Sequence, residues 1–179
     1  MHEVEVKIIA IDRGKVESKL KSLGASKTFE GDVETMFFDF QGDPIEKANN
    51  LLRLRKIGSK TELTFKRFVP DENAKVREEY EVLVSDFDTT RLILESIGLS
   101  GRQHLSKHRI SYALNGGVTV DLDKYTGDLS HIPDLMEIET TDLSTLRSHV
   151  KLLGFNAEDA KPWTTFDLIN YYSGKGAKN

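Results

Sequence analysis

The sequence predicts an α+β fold, an antiparallel sheet of eight strands curled into a closed β-barrel with about four helices packed on its outside. Three observations point to its strands, helices and turns. Eight short segments read as strands, and seven of them alternate polar and apolar side chains, the period of a strand with two unlike faces. Three of the segments read as helices open on aspartate and close on Leu-Gly or Ile-Gly, as capped helices do. Short runs rich in Gly, Asn and Pro separate the elements as turns do.

Residues 3–10 alternate and form the first strand. Asp12 caps a helix over roughly 13–23, with Val16, Leu20 and Leu23 on one face and Gly24 at its end. Residues 34–41 read as a strand, and 41–50, with Gly42, Asp43 and Pro44, as a loop. Strands at 51–56 and 61–67 pair through Gly58-Ser59. Pro70–Asn73 turn the chain into a strand at 77–84. Asp86 caps a helix at 87–97, stopped by Gly98. Strands at 106–113 and 117–124 meet at Asn115-Gly116, a tight-hairpin signal. A strand near 135–140 precedes a helix from Asp142 to Leu153, closed by Gly154. A last helix follows Pro162, and residues 173–179 read as a frayed tail. Phe29, Phe37, Phe38 and Phe40 read as core. No linker divides residues 1–179, so one domain is expected.

Composition narrows the function. The 179 residues include 25 Lys plus Arg and 29 Asp plus Glu, a formal net charge of −4. That balance does not indicate a basic nucleic-acid surface. The absence of cysteine excludes disulfides, thiolate metal sites and cysteine nucleophiles. There is no apolar signal core and no apolar run near ~20 residues, so a soluble, cytoplasmic protein without a membrane partner is expected. The five histidines have no metal-ligand spacing, and His108 falls on the apolar face of its strand. Gly116-Gly117 is a turn rather than a phosphate loop, because no helix follows it.

The polar faces of the strands carry the functional signal. Glu3, Glu5 and Lys7 oppose Val4, Val6 and Ile8. Arg53 and Arg55 oppose Leu52 and Leu54; Thr64 and Lys66 oppose Leu63 and Phe65. Glu79 and Glu81 oppose Tyr80, Val82 and Val84. Lys107 and Arg109, Asp121 and Asp123, and Glu137 and Glu139 repeat the pattern. Seven of the eight strands thus bear charge, eight carboxylates and six cations in all. Two arrangements satisfy this: charges facing water over a common core, or charges lining a barrel whose apolar outside the helices cover. Periodicity leaves both open, and four helices favour the second. Buried charges need partners or metal. Arg and Lys suit phosphate oxygens, and paired carboxylates suit hard divalent cations. Mixed charge of this kind suits a polyphosphate held with metal.

These residues resemble a known family. Glu3-Val-Glu5-Val-Lys7 is similar to the ExExK signature of the CYTH, or triphosphate tunnel, superfamily. Leu52-Arg53-Leu54-Arg55, Glu62-Leu-Thr-Phe-Lys66, Arg77-Glu-Glu79-Tyr-Glu81, Lys107-His-Arg109 and Glu137-Ile-Glu139 then follow in the family's order, over about residues 3–172. The resemblance implies an eight-stranded tunnel with its charges inside. It implies that Lys7, Arg53, Arg55, Lys66, Lys107 and Arg109 grip phosphates. Glu137, Glu139 and either Asp121 or Asp123 would hold Mg²⁺ or Mn²⁺. Glu3, Glu5 and Glu81, with Glu79, would hold a second metal or position the nucleophile. Asp123-Lys-Tyr-Thr-Gly-Asp128 resembles a bacterial triphosphatase segment and favours Asp123, whereas the cyclase pattern favours Asp121. The family includes triphosphatases and class IV adenylyl cyclases. Expected is metal-dependent hydrolysis of a triphosphate-containing small molecule, with cyclisation of ATP, or binding without catalysis, as alternatives. The absence of the cyclases' Gly-Leu-Gly segment tilts the reading toward hydrolysis. The resemblance allows a homodimer without requiring one.

Overall fold

A computed structural model describes residues 4–69 and 76–174 of the chain. Glu3, the turn at Pro70–Asn73 and the tail beyond residue 174 lie outside the described residues. The strands are β1 (Val4–Ile9), β2 (Ser26–Phe40), β3 (Leu51–Ile57), β4 (Lys60–Val69), β5 (Val76–Val84), β6 (Leu99–Leu114), β7 (Val118–Tyr125) and β8 (Leu135–Thr140). The helices are α1 (Arg13–Ser22), α2 (Pro44–Lys47), α3 (Phe87–Ser96), α4 (Leu143–Leu152) and α5 (Thr165–Tyr172). All eight expected strands are present. β2 and β6 start earlier than expected, and the loop at 41–50 contains α2.

The expected caps form. Asp12, Asp86 and Asp142 accept hydrogen bonds from the amides of Lys15, Thr89 and Thr145 at 3.1, 2.7 and 2.8 Å. Each side chain thereby satisfies an amide that the first helical turn leaves without a partner. Gly24, Gly98 and Gly154 end these helices with φ of 74°, 101° and 92°, a region that side chains with a Cβ avoid.

The strands hydrogen-bond as an antiparallel sheet in the order β1–β8–β7–β6–β2–β3–β4–β5. β1 and β5 are its two ends, and no register joins them among the described residues, so the expected closed barrel is not formed. A physical reason lies at the outer edge of β1. The Lys7 amide donates to the Lys161 carbonyl and the Lys161 amide to the Lys7 carbonyl, each at 2.8 Å. At Lys7 the backbone groups that closure would need are already paired.

The described residues fall into two compact units, residues 31–69 with 76–107 and residues 4–30 with 108–174. In the first, α3 packs on the apolar face of β2, β3 and β4, burying Phe38, Leu54, Phe87, Leu94 and Leu99 together. In the second, α1 and α4 cover the apolar face of β1, β6, β7 and β8, with Val16, Leu20, Leu146 and Val150 packed on Ile8, Ile110, Val120, Leu122 and Ile138. α3 in the first unit and α1 and α4 in the second therefore lie on apolar sheet faces, opposite the charged faces. Phe37 and Phe38 are buried as expected, but Phe40, the last residue of β2, is 42% exposed.

Candidate functional site

In the second unit the charged face is ordered by register. Lys7 on β1 stands opposite Glu137 on β8, and Glu137 stands opposite Asp121 on β7. Side chains directly opposite each other share a face, so the three project together. Glu5 and Glu139 stand opposite each other one step along. Arg109 joins them from β6, and Asp123 and Tyr125 continue the face of Asp121 along β7.

These groups form one ion-pair network. Lys7 Nζ lies 3.0 Å from Glu5 Oε1 and 3.2 Å from Glu137 Oε1. Arg109 donates from Nε and Nη2 to the two oxygens of Asp123, both at 2.7 Å, and from Nη2 to Glu137 Oε2 at 2.7 Å. Its Nη1 pairs with Asp121 Oδ2. Glu137 thus bridges Lys7 and Arg109. Four carboxylates (Glu5, Glu137, Asp121, Asp123) meet two cations, which leaves two negative charges.

Burial makes this network consequential. The Lys7 and Arg109 side chains are 2% and 9% exposed. Burial acts to lower the Lys7 pKa, but Glu137 and Glu5 outweigh it and hold that pKa well above the ordinary value. Arg109 is likewise raised against burial by Asp123 and Glu137. Burial lifts the Asp121 carboxyl above the usual carboxylate range; Arg109 opposes the shift, and Asp123 and Glu137 add to it. Tyr125, also buried, is pushed up by burial and by Glu137 and Asp123, so its phenol stays protonated.

The first unit presents its own charged face on β3, β4 and β5. Arg53 stands opposite Thr64, Arg55 opposite Glu62, Thr64 opposite Glu81 and Lys66 opposite Glu79. Arg55 Nε and Nη2 donate to Glu62 Oε2 at 3.3 and 2.9 Å. Thr64 Oγ1 donates to Glu81 Oε2 at 3.0 Å, and Lys66 pairs with Glu79. Lys107 is half-buried on β6.

Of the candidate residues, Glu5, Lys7, Arg109, Asp121, Asp123 and Glu137 gather in the second unit, with Glu139 beside Glu5 in register. Arg53, Arg55, Lys66, Glu79 and Glu81 share a face in the first. Tyr125, Glu62 and Thr64 were not singled out as site residues. One further step of the alternation that gave Asp121 and Asp123 reaches Tyr125, and Glu62 lies two residues before Thr64.

The acidic groups suit a hard divalent cation by chemistry, and Asp121 Oδ1 is buried without a hydrogen-bond partner. Their arrangement does not suit one. Among the described residues no three Asp, Glu or His side chains are placed to hold a metal ion. Asp121, Asp123 and Glu137 are spread around the Arg109 guanidinium instead.

Fold and site together define an α+β protein whose antiparallel sheet carries mixed-charge ion pairs on the face opposite α1 and α4 in one unit and opposite α3 in the other. The chain belongs to the CYTH domain family, which it matches over residues 1–155. It is 27% identical over 156 residues to a Methanocaldococcus jannaschii protein named as a candidate adenylate cyclase, covering 77% of this chain and 87% of that one. A conserved hypothetical protein from Pyrococcus furiosus shares the fold with a TM-score of 0.75 and 25% identity, over 93% of this chain and 99% of that one. A Hippeastrum protein, described as a candidate adenylyl cyclase with a dominant triphosphatase activity, shares the fold with a TM-score of 0.65 and 16% identity, over 97% and 96%. Members of the family act as triphosphatases or adenylyl cyclases. Among the described residues no helix is long and apolar enough to cross a membrane.

Proposed function

We propose that this chain is a divalent-cation-dependent phosphohydrolase acting on a triphosphate. The observation that carries the reading is the set of Arg53, Arg55 and Lys66 on one face of β3 and β4, with Arg55 and Lys66 already turned toward carboxylates. A phosphate group offers the same oxygen geometry with more charge, so it can replace Glu62 and Glu79 as the cations' partner. In the second unit Lys7 and Arg109 are further candidates for phosphate, and Glu137, Glu139 and Asp121 or Asp123 for Mg²⁺ or Mn²⁺.

In the reaction a water oxygen bonds to the terminal phosphorus as the bond to the bridging oxygen breaks. Diphosphate leaves with the electron pair, and the water's proton passes to a carboxylate. The cations stabilise charge that accumulates on the phosphate oxygens, a contribution that grows toward the transition state. Glu81, held by Thr64, is the candidate in the first unit for orienting the water, and Glu5 in the second. A bound divalent cation would supply further charge neutralisation.

The name of the Methanocaldococcus relative keeps a second reading in view, in which a ribose hydroxyl attacks the α-phosphorus of ATP and pyrophosphate leaves. A product assay separates the two. Purified protein is incubated with ATP or tripolyphosphate, each with Mg²⁺ or Mn²⁺, and the products are resolved. Orthophosphate release, strongest from tripolyphosphate, is the expected result. Cyclic AMP with pyrophosphate would overturn it in favour of cyclisation.

A further inference from the structure

Arg109 has more anionic partners than a phosphate-binding arginine needs. Three carboxylates from two strands converge on it: Asp121, both oxygens of Asp123, and Glu137. One oxygen in the cluster, Asp121 Oδ1, is buried and lacks a hydrogen-bond partner. A guanidinium is a flat fork whose nitrogens spread their acceptors around its rim. A divalent cation instead draws oxygens to about 2.1–2.6 Å from a single point. The same three carboxylates cannot satisfy both geometries at once.

We propose that Arg109 is a resident counter-cation, which occupies the Asp121–Asp123–Glu137 cluster in the ligand-free chain and competes there with a divalent metal ion. This rests on the reading that the chain binds a triphosphate with metal. A polyphosphate that engages Arg109 would free Asp121, Asp123 and Glu137 to act as ligands of a divalent ion. Metal and polyphosphate consequently favour each other's binding, since coupling between two sites is reciprocal. The device keeps three closely spaced carboxylates compensated while no metal is present.

The test uses Mn²⁺ alone, because polyphosphates chelate it. Mn²⁺ affinity is measured by the electron paramagnetic resonance signal of the free ion, for wild type, Arg109→Gln and Arg109→Lys. Arg109→Gln is expected to bind about tenfold more tightly than wild type, since the ion no longer competes with a buried pair. Arg109→Lys, with one point charge in place of the fork, should fall between them. Adding Asp121→Asn to Arg109→Gln should abolish the gain. Thermal unfolding supplies a second readout, and Mn²⁺ should raise the midpoint of Arg109→Gln more than that of wild type. Should Arg109→Gln fold only with Mn²⁺ present, circular dichroism would show structure returning as the ion is added, and Arg109→Lys would still supply the comparison of affinities. Mn²⁺ affinity in both variants no tighter than wild type would overturn the proposal. Orthophosphate release by wild type is scored separately: release without the affinity gain defeats the counter-cation and leaves the hydrolase reading standing, and the gain without release does the reverse.

Discussion

Glu137 neutralises two buried cations at once, Lys7 through Oε1 and Arg109 through Oε2. Its removal therefore costs more than a metal ligand. Glu137→Ala is expected to lower the unfolding free energy by about 3 kcal/mol, the usual cost of leaving buried charge uncompensated. Urea unfolding measures it, and an unchanged midpoint would show that the network relaxes freely. Glu139 is the cleaner probe of turnover, because it is half-buried and stands across from Glu5. Glu139→Ala should abolish orthophosphate release while the thermal midpoint stays within about 2 °C of wild type. A third residue matters only to stability. Asp39 is 3% exposed and accepts the amides of Phe40, Ile45 and Glu46 at 2.7, 3.1 and 2.9 Å, so it ties the end of β2 to α2. Asp39→Ala strands three donors and should cost about 2 kcal/mol in urea unfolding. Alternation made the charged faces legible at this scale, because a period of two sorts side chains without knowledge of partners. Asp39 was not legible: in sequence it is one more polar residue of a strand, and its role depends on a turn that brings residues 45 and 46 back to it.

Elements were legible where their signals are local. Three aspartate caps, the Gly58-Ser59 hairpin and the turn at Asn115-Gly116 each follow from a few adjacent residues. The first halves of β2 and β6 were not, since Ser26–Gly31 and Ser100–His104 are largely exposed and lack an apolar face. Strand pairing holds them, and pairing leaves no period in sequence. Gly101 illustrates this: a Cβ there would come within 3.3 Å of Met36 Sδ, so glycine lets β6 lie close to that side chain. Closure of the barrel was illegible for a related reason, since alternation shows which face is buried and not whether an edge is already occupied, as β1 is at Lys7. One cap yields a pH test. Hydrogen bonds from Thr145 and Ser144 lower the Asp142 carboxyl to about 2. A depressed carboxyl stabilises the fold above its unfolded pKa of about 4, and that contribution is lost as pH falls through the folded value. Asp142→Ala should therefore unfold at a lower temperature than wild type at pH 7, with the gap narrowing between pH 4 and pH 2. A gap that stays constant over that range would locate the effect outside the carboxylate's charge.

At the scale of the whole chain, the two units differ in how much apolar surface each holds together. The second unit buries one continuous cluster from four strands and two helices, including Leu20, Val120, Leu122, Met136 and Ile138 at 0% exposure. The first buries a smaller cluster centred on Leu54, and its edge strand and helix leave Tyr80, Val82, Leu83, Leu92, Ile93 and Ile97 at least half exposed. Local opening costs least where buried apolar contacts are fewest. In the absence of ligand, backbone amides of β3, β4 and β5 should therefore exchange with deuterium before those of β1, β7 and β8. Tripolyphosphate should slow exchange in β3 and β4 selectively if Arg53, Arg55 and Lys66 take its phosphates, because ligand bound only to the native form protects what must open to release it. Hydrogen exchange read by mass spectrometry measures both effects on one sample. Faster exchange in the second unit would show that its buried ion pairs weaken it more than its core strengthens it. Protection that never reaches β3 and β4 would remove those three cations from the phosphate site.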